Sequence, residues 1–375
     1  MTPYWLDEEA PARPDVRLDG PADVVVVGGG VTGCSCALTL ARAGLCVRLH
    51  DAREIAGGAS GRNGGFALRG APAPYDVAAE LLGRDRAAEL WTWTERALDR
   101  LEELAGDAFR RVGSLRLAVD LDERDELRAE WGAMREDGLA VEWIDELEAP
   151  LHGRYTAAIR HPSDGVLQPA RWVRRLASLA AAAGVEIREH APVRSLDEAE
   201  GATVVVCTDG YPSGLLGELE GLIVPTRGQV ITTEPIPERF FEVPHYGRHG
   251  FDYWHQTPDG RVVAGGFRDA SMESEFTATE ETTGTIQSAL EGFVAGLVGR
   301  PLRVDYRWAG IFGLVLDFMP VVGPVPGLDR TWVAGGYSGH GNVLGLACGE
   351  LVARAVLGDR DPLLDCFVPA RLLAH

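Results

Sequence analysis

Two glycine-rich loops, one near each end of the chain, carry the residues best suited to hold a large charged cofactor. They are Gly28-Gly29-Gly30-Val31-Thr32-Gly33 and Gly335-Gly336-Tyr337-Ser338-Gly339-His340-Gly341-Asn342. The first follows the run Val24-Val25-Val26-Val27 and opens an alanine-rich, helix-like stretch to Ala43. Its glycines therefore fall at a strand-to-helix turn, where a pyrophosphate can rest on a helix N-terminus. A second strand, Leu45 to Leu49, leads to Asp51, roughly 20 residues beyond the glycines, the offset at which an acid reaches a ribose hydroxyl. A glycine-rich turn alone could belong to any buried strand and helix. Strand, turn, helix, second strand and terminal acid in that order point to a dinucleotide, and leave open which one.

The composition limits what else the protein can do. A chain of 375 residues with 46% hydrophobic and 25% charged residues can build two domains with real cores. Its 36 basic and 56 acidic residues give a net charge of -20, which repels phosphate backbones and anionic membrane surfaces, so neither nucleic acid nor membrane is an expected partner. The acidic N-terminus lacks an apolar stretch of signal-peptide length, and the expected location is cytoplasmic. The cysteines, Cys34, Cys36, Cys46, Cys207, Cys348 and Cys366, show no paired zinc spacing and read as free thiols, with no metal site. The chain has no lysine, so every basic residue is arginine. A Schiff-base lysine and a phosphate-loop lysine are thereby excluded.

The elements that must position the loops alternate in blocks. Residues 21 to about 70 read as strand, helix, strand and a long glycine-rich loop, and 76 to 108 as one helix with Trp91, Leu98, Leu101 and Leu104 on its packing face. A strand from Ser114 to Val119 precedes a charged helix reaching about Asp137. Pro169 to Ala183 reads as a helix, followed by strands Val185–Arg188 and Thr203–Val206. Residues 229–311 contain strands, a hairpin turning at Thr257-Pro258-Asp259-Gly260 and a helix from about Glu280 to Leu297. Thr331–Ala334 and Val343–Leu357 then supply a last strand and helix around the second glycine-rich loop. The expected fold is α/β. A Rossmann-like, discontinuous nucleotide-binding domain takes residues 1–75, 151–225 and 325–375. A substrate or capping domain, built on a mostly antiparallel sheet plus helices, takes 76–150 and 226–324.

A resemblance becomes specific when further segments are added. Val25-Val26-Val27-Gly28-Gly29-Gly30, Asp51, Gly58-Ala59-Ser60-Gly61-Arg62-Asn63-Gly64-Gly65 and Gly336-Tyr337-Ser338-Gly339-His340-Gly341 look like the D-amino-acid oxidase superfamily of FAD flavoproteins. The nearest branch is the γ-glutamylputrescine oxidase-like amine oxidoreductases. Asp164-Gly165 with Pro169, Thr226-Arg227-Gly228-Gln229, Trp308-Ala309-Gly310 and Asp317-Phe318-Met319-Pro320 extend the likeness over most of the chain. It implies FAD bound by Gly28, Gly30, Val31, Thr32, Gly33, Asp51, Ala59, Ser60, Arg62, Asn63, Gly64, Gly65, Val193, Gly310, Gly336, Gly339, His340, Gly341 and Asn342. The only two asparagines, Asn63 and Asn342, both lie in these loops. It further implies hydride transfer to flavin from the carbon next to nitrogen of an amine or amino acid, giving an imine that water hydrolyses. The protein's part is then positioning and electrostatic tuning.

Candidate substrate-facing residues are Tyr253, Trp254, His255 and Arg268 on the capping sheet, with His340 at the last helix. Cross-strand packing with one face in solvent is the alternative explanation of the sheet residues, balanced against function for Arg268 and favoured over it for His255. Departures from the family pattern also carry information. Val343 stands where sarcosine-oxidase-like members have a carboxylate-binding lysine, Ala264 where they have an oxygen-activating lysine, and Phe66 where the nearest branch commonly has glutamine. The covalent-flavin cysteine of those members aligns near Gly310, so noncovalent FAD is expected. Two other readings stay open: an FAD-dependent hydroxy-acid dehydrogenase with a clamp from Arg62, Arg248 or Arg268, and a flavin-binding subunit without turnover. An electron-acceptor protein is a possible partner, since no lysine can assist oxygen.

Overall fold

The computed structural model describes residues 2–199 and 202–373. The valine run Val24–Val27 is buried along its whole length, as a parallel strand covered on both faces must be. It sits inside a six-stranded sheet whose order by residues is 321–324, 331–335, 203–206, 24–27, 47–50 and 186–188. All neighbours pair in parallel except Val321–Pro324, which runs antiparallel to Thr331–Gly335.

The helices following the two glycine-rich loops, Val31–Arg42 and Gly341–Val356, lie against each other. Glycine makes the approach possible: a Cβ on Gly349 would sit 2.5 Å from the Thr32 carbonyl oxygen. Ser35 Oγ donates to the Leu346 carbonyl (2.8 Å), and Thr32 Oγ1 to Tyr337 Oη (2.9 Å). Segments from opposite ends of the chain thus form one layer.

The second sheet has eight strands in the order 304–314, 224–233, 262–266, 252–256, 245–247, 114–118, 157–161 and 142–144. It is antiparallel apart from the pairing of His245–Gly247 with Ser114–Ala118. Alternation along its strands separates two faces. Ile231, Trp254 and Ala264 pack with Ile286, Leu290 and Val294 of helix Gly284–Val298, while Val230 and Val263 belong to the core shared with the nucleotide-binding layer.

Two expectations about boundaries differ from the structure. Strand Ala157–His161, expected with the nucleotide-binding block 151–225, lies in the eight-stranded sheet. Its run Ala157-Ala158-Ile159 is fully buried, and a continuous apolar strand carries no mark of which sheet will take it. The helix expected over 76–108, within the capping block, is two helices, Tyr75–Leu82 and Arg84–Ala105, separated at Gly83 with φ of 84°. The apolar stripe of the second, including Leu98 and Leu101, joins the core of the nucleotide-binding layer. Among the described residues, no helix is long and apolar enough to cross a membrane.

Candidate active site

The first loop is shaped by steric necessity. Gly28 has φ of 113°, and a Cβ there would meet the Cys207 carbonyl oxygen at 2.5 Å; one on Gly33 would lie 1.8 Å from the Gly28 carbonyl oxygen. A Cβ on Gly30 would come within 2.8 Å of Ser60 Oγ, so the first loop and the 57–66 loop touch there. Gly29 N donates to Asp51 Oδ2 (2.6 Å), Arg53 N to Asp51 Oδ1 (2.7 Å) and Val31 N to Ser60 Oγ (3.0 Å). Burial raises the Asp51 carboxyl against the pull of those amides. Thr32 and Gly33 lie in the first helical turn, whose N–H groups lack intrahelical acceptors, and they have none from elsewhere among the described residues. That is an anion cradle. The Thr32 hydroxyl is taken by Tyr337, and Val193 packs on the cluster around Val25, Val27 and Val204 on one face of the six-stranded sheet.

The 57–66 loop is tied down from behind. Four successive carbonyls accept bonds from the protein: Arg62 O from Trp308 Nε1 (2.7 Å), Asn63 O from Trp5 Nε1 (2.8 Å), Gly64 O from His255 Nε2 (2.9 Å) and Gly65 O from Leu167 N (2.7 Å). The two asparagines bond each other, Asn63 Nδ2 to Asn342 Oδ1 (3.3 Å) and Asn342 Nδ2 to Asn63 Oδ1 (3.1 Å). Asn63 Nδ2 also donates to Ser60 O, and Asn342 Nδ2 to Phe66 O. These side chains staple the two cofactor loops together. Gly336 (φ 74°) and Gly339 (φ 99°) supply the left-handed turns leading into His340, the N-cap of the last long helix, with Gly341 at its first position.

Between the loops and the capping sheet lies a cavity of about 450 Å³. Ala59, Arg62, Asn63, Gly64, Gly339, His340 and Asn342 line its nucleotide-domain side, Tyr253, Arg268 and Gly310 its sheet side, and Phe66 one wall. Among the described residues no carboxylate lines it. The Arg268 guanidinium lies over the Phe251 ring (4.3 Å) and nearer the edge of Phe312 (5.8 Å), and has no hydrogen-bond or ion-pair partner among the described residues. Burial lowers its pKa, yet a guanidinium stays cationic. Tyr253 fits a slot made by two glycines, since a Cβ on Gly64 would meet its ring at 2.7 Å and one on Gly265 its hydroxyl at 2.3 Å. Burial pushes that phenol up to about 12, with Arg268 pulling the other way.

The other two arginines weighed as clamps are engaged. Arg62 donates Nε to Gly57 O (2.8 Å) and lies 3.5 Å from Glu280; Arg248 binds Asp252 and Asp269. His340 lines the cavity with Nδ1 unpartnered, and burial lowers it to about 4, so it is neutral near pH 7. His255, expected to face substrate, does not line the cavity. It is buried, stacked with Trp5, lowered to about 4 by burial, and spends Nε2–H on Gly64 O. It is a positioning residue for the loop. Ala264 also faces away, in the core behind the sheet, so the position aligned with the oxygen-activating lysine is not on the cavity side.

Sequence reasoning missed three residues. Asp209, half-buried, accepts from Gly313 N (3.0 Å) and Gly336 N (2.7 Å), anchoring the second glycine-rich loop. Glu280, from the capping segment, takes Arg53 Nη1 (2.7 Å) and Tyr211 Oη (2.5 Å) beside the 57–66 loop. The signal for Asp209 and Tyr211 was available: Cys207-Thr208-Asp209-Gly210-Tyr211 follows the carboxyl end of a parallel strand, where open α/β sheets bind ligands.

These residues fit an extended flavin dinucleotide, with acceptor-less amides at one loop and the buried, unpartnered His340 Nδ1 with a helix N-terminus at the other. Comparison with known proteins agrees. The family model "FAD dependent oxidoreductase" (DAO) matches residues 23–355. A probable oxidoreductase OrdL of Rhizobium meliloti is 30% identical, covering 98% of this chain and 91% of its own. A gamma-glutamylputrescine oxidoreductase of Escherichia coli is 30% identical, covering 90% and 84%. In structure, glycine oxidase from Geobacillus kaustophilus superposes with a TM-score of 0.75 at 22% identity, over 94% of this chain and 99% of its own.

Proposed function

The chain belongs to the FAD dependent oxidoreductase (DAO) family, and on that premise we propose that it oxidises an amino acid, or a related amine bearing a carboxylate, held by Arg268. The observation that carries this reading is the unpaired Arg268 guanidinium on the cavity wall. A half-buried cation with no hydrogen-bond or ion-pair partner among the described residues calls for an anion in use, and its planar fork suits a carboxylate bidentately. Bound FAD would supply the two-electron acceptor for the carbon next to nitrogen, leaving an imine for water to hydrolyse.

This chain's residues do the rest. Arg268 binds the carboxylate, with Tyr253 beside it to orient the same group. Asn63 and Asn342 fix the loops facing it. No carboxylate among the described residues lines the cavity and His340 is neutral, so an ammonium finds no counter-charge from them there. The amine must enter as the free base, losing its proton to solvent first. The relatives support an amine or amino acid: one is named a gamma-glutamylputrescine oxidoreductase and another, from Bacillus licheniformis, a glycine oxidase. FAD is held noncovalently in this reading, with Gly310 at the wall offering no thiol.

The test is anaerobic addition of amines, N-methyl amino acids and hydroxy acids to the purified protein while the flavin absorbance is followed. Bleaching by amino acids is expected, and faster bleaching by substrates with apolar bulk than by sarcosine, given Phe66 on the cavity wall. Bleaching by hydroxy acids alone would replace this reading with the hydroxy-acid dehydrogenase, and no bleaching at all would point to a flavin-binding subunit.

A further inference from the structure

One stretch of the cavity is not explained by cofactor loops or by Arg268. At its mouth stand Val77, from helix Tyr75–Leu82, Leu314, at the end of strand Val304–Leu314, and Phe318, from the loop after it. Val77 is 40% exposed and Phe318 44%. Leu81, one helical turn beyond Val77, is 66% exposed, and Leu316, between Leu314 and Phe318, is 93% exposed. Val77, Leu314 and Phe318 are apolar and line a cavity that, among the described residues, offers an unpaired cation and no carboxylate; Leu81 and Leu316 add exposed apolar surface on the same two segments.

Phe318 also sits at φ of 57°, a conformation that is an outlier for a bulky residue and natural for glycine or asparagine. The loop is braced to hold it: Asp317 receives Arg371 through two bonds, Nε to Oδ2 (2.8 Å) and Nη2 to Oδ1 (3.1 Å), and Phe318 N donates to Val315 O (3.1 Å). An exposed aromatic ring on a strained backbone, fixed at a cavity mouth, gains nothing from the core. It gains if a ligand covers it.

We propose that Phe318, with Val77 and Leu314, forms the subsite for an apolar substituent of the substrate, so that the substrate class is a carboxylate-bearing amine with an extended apolar chain or ring. This rests on the assignment of Arg268 as the carboxylate anchor. The substituent runs from the anchored end toward the mouth and covers the wet apolar surface there. Its contribution is burial, which raises affinity without touching the reacting atoms.

Unreactive carboxylates test this on the holoenzyme, by calorimetric titration with the straight-chain series from acetate to octanoate. Affinity should climb roughly fourfold per methylene while the chain enters the subsite. In Phe318→Asn, which keeps a residue tolerant of the backbone, short members should bind as in the parent and long members should lose at least tenfold. Phe318→Gly should do the same with a thermal midpoint no lower than that of Phe318→Ala, since alanine keeps the strain. Arg268→Met should weaken every member of the series alike. A flat series that still depends on Arg268 would overturn the subsite and leave the anchor standing. A series that neither binds nor responds to Arg268 would overturn both. An unchanged slope in Phe318→Asn would overturn the role of Phe318.

Discussion

Replacing Arg268 with methionine separates the anchor from every structural role the residue could have. A hydrogen bond to a charged group contributes about 1.5–3 kcal/mol, so losing the Arg268 interaction should weaken carboxylate substrates about 10- to 150-fold at 1.36 kcal/mol per decade. Stability should hardly change. Arg268 has no ion-pair partner to strand, and its stacking on Phe251 at 4.3 Å is worth on the order of 0.5–1 kcal/mol, offset by the desolvation that its removal relieves. The contrast is Arg227, whose guanidinium makes two bonds to the buried Glu275 (2.9 and 2.7 Å); Arg227→Met strands a carboxylate and should cost about 3–5 kcal/mol. Anaerobic flavin reduction gives the apparent affinity, and thermal unfolding of the holoprotein gives stability. The anchor assignment fails if Arg268→Met binds acids as the parent does, or if acids and their methyl esters weaken equally.

Four other outcomes follow from the geometry. Gly30→Val should purify folded but without flavin, because the Cβ alone would come within 2.8 Å of Ser60 Oγ in the cradle; stoichiometric yellow colour would show the first loop is misassigned. Acid precipitation should leave the flavin in the supernatant, and colour in the pellet would establish a covalent link. His245, His255 and His340 are lowered by burial to about 3, 4 and 4, whereas unfolded histidines titrate near 6.5. The unfolded state therefore binds more protons between those values, and the thermal midpoint should fall as pH drops from about 6.5 toward 4. Asp164, raised to about 6, opposes this in the same window, so His245→Phe should flatten the decline; a midpoint that rises on acidification would contradict the buried neutral histidines. Oxygen should be a poor acceptor, because Arg62 faces Glu280 and His340 is neutral; stopped-flow reoxidation much faster than that of free reduced flavin would refute it.

The nucleotide-binding layer was legible because its signals are local. A valine run buried on both faces, a glycine turn, an alanine-rich helix and a terminal acid each carry a short-range mark, and their order excludes other arrangements. Segment membership was not local. Ala157–His161 reads as a buried strand equally well in either sheet, and only its pairing with Ser114–Ala118 decides. Arg84–Ala105 shows its apolar stripe plainly, but a stripe does not say which layer will cover it.

The same distinction runs through the site. Asn63 and Asn342 were conspicuous as the chain's only asparagines, and their pairing explains why both loops use one: a side-chain amide both donates and accepts, so two of them can close a reciprocal pair across loops distant in sequence. Their types were readable, and their mutual use was not. On the capping sheet the decisive quantity was strand parity. Tyr253 and His255 share a face, yet Tyr253 reaches the cavity and His255 stops beneath the loop, bonded to Gly64 O. Ala264 lies on the opposite face. The absence of lysine at that position therefore says nothing about oxygen, whereas the pairing of Arg62 and the low pKa of His340 do. What limits positive charge at the cavity is which arginines already have partners, and Arg268 is the one there without a partner among the described residues. Arg268 is thus the cation at the cavity left to bind an anion, so Arg268→Met should weaken carboxylate substrates and leave oxygen no better an acceptor than in the parent.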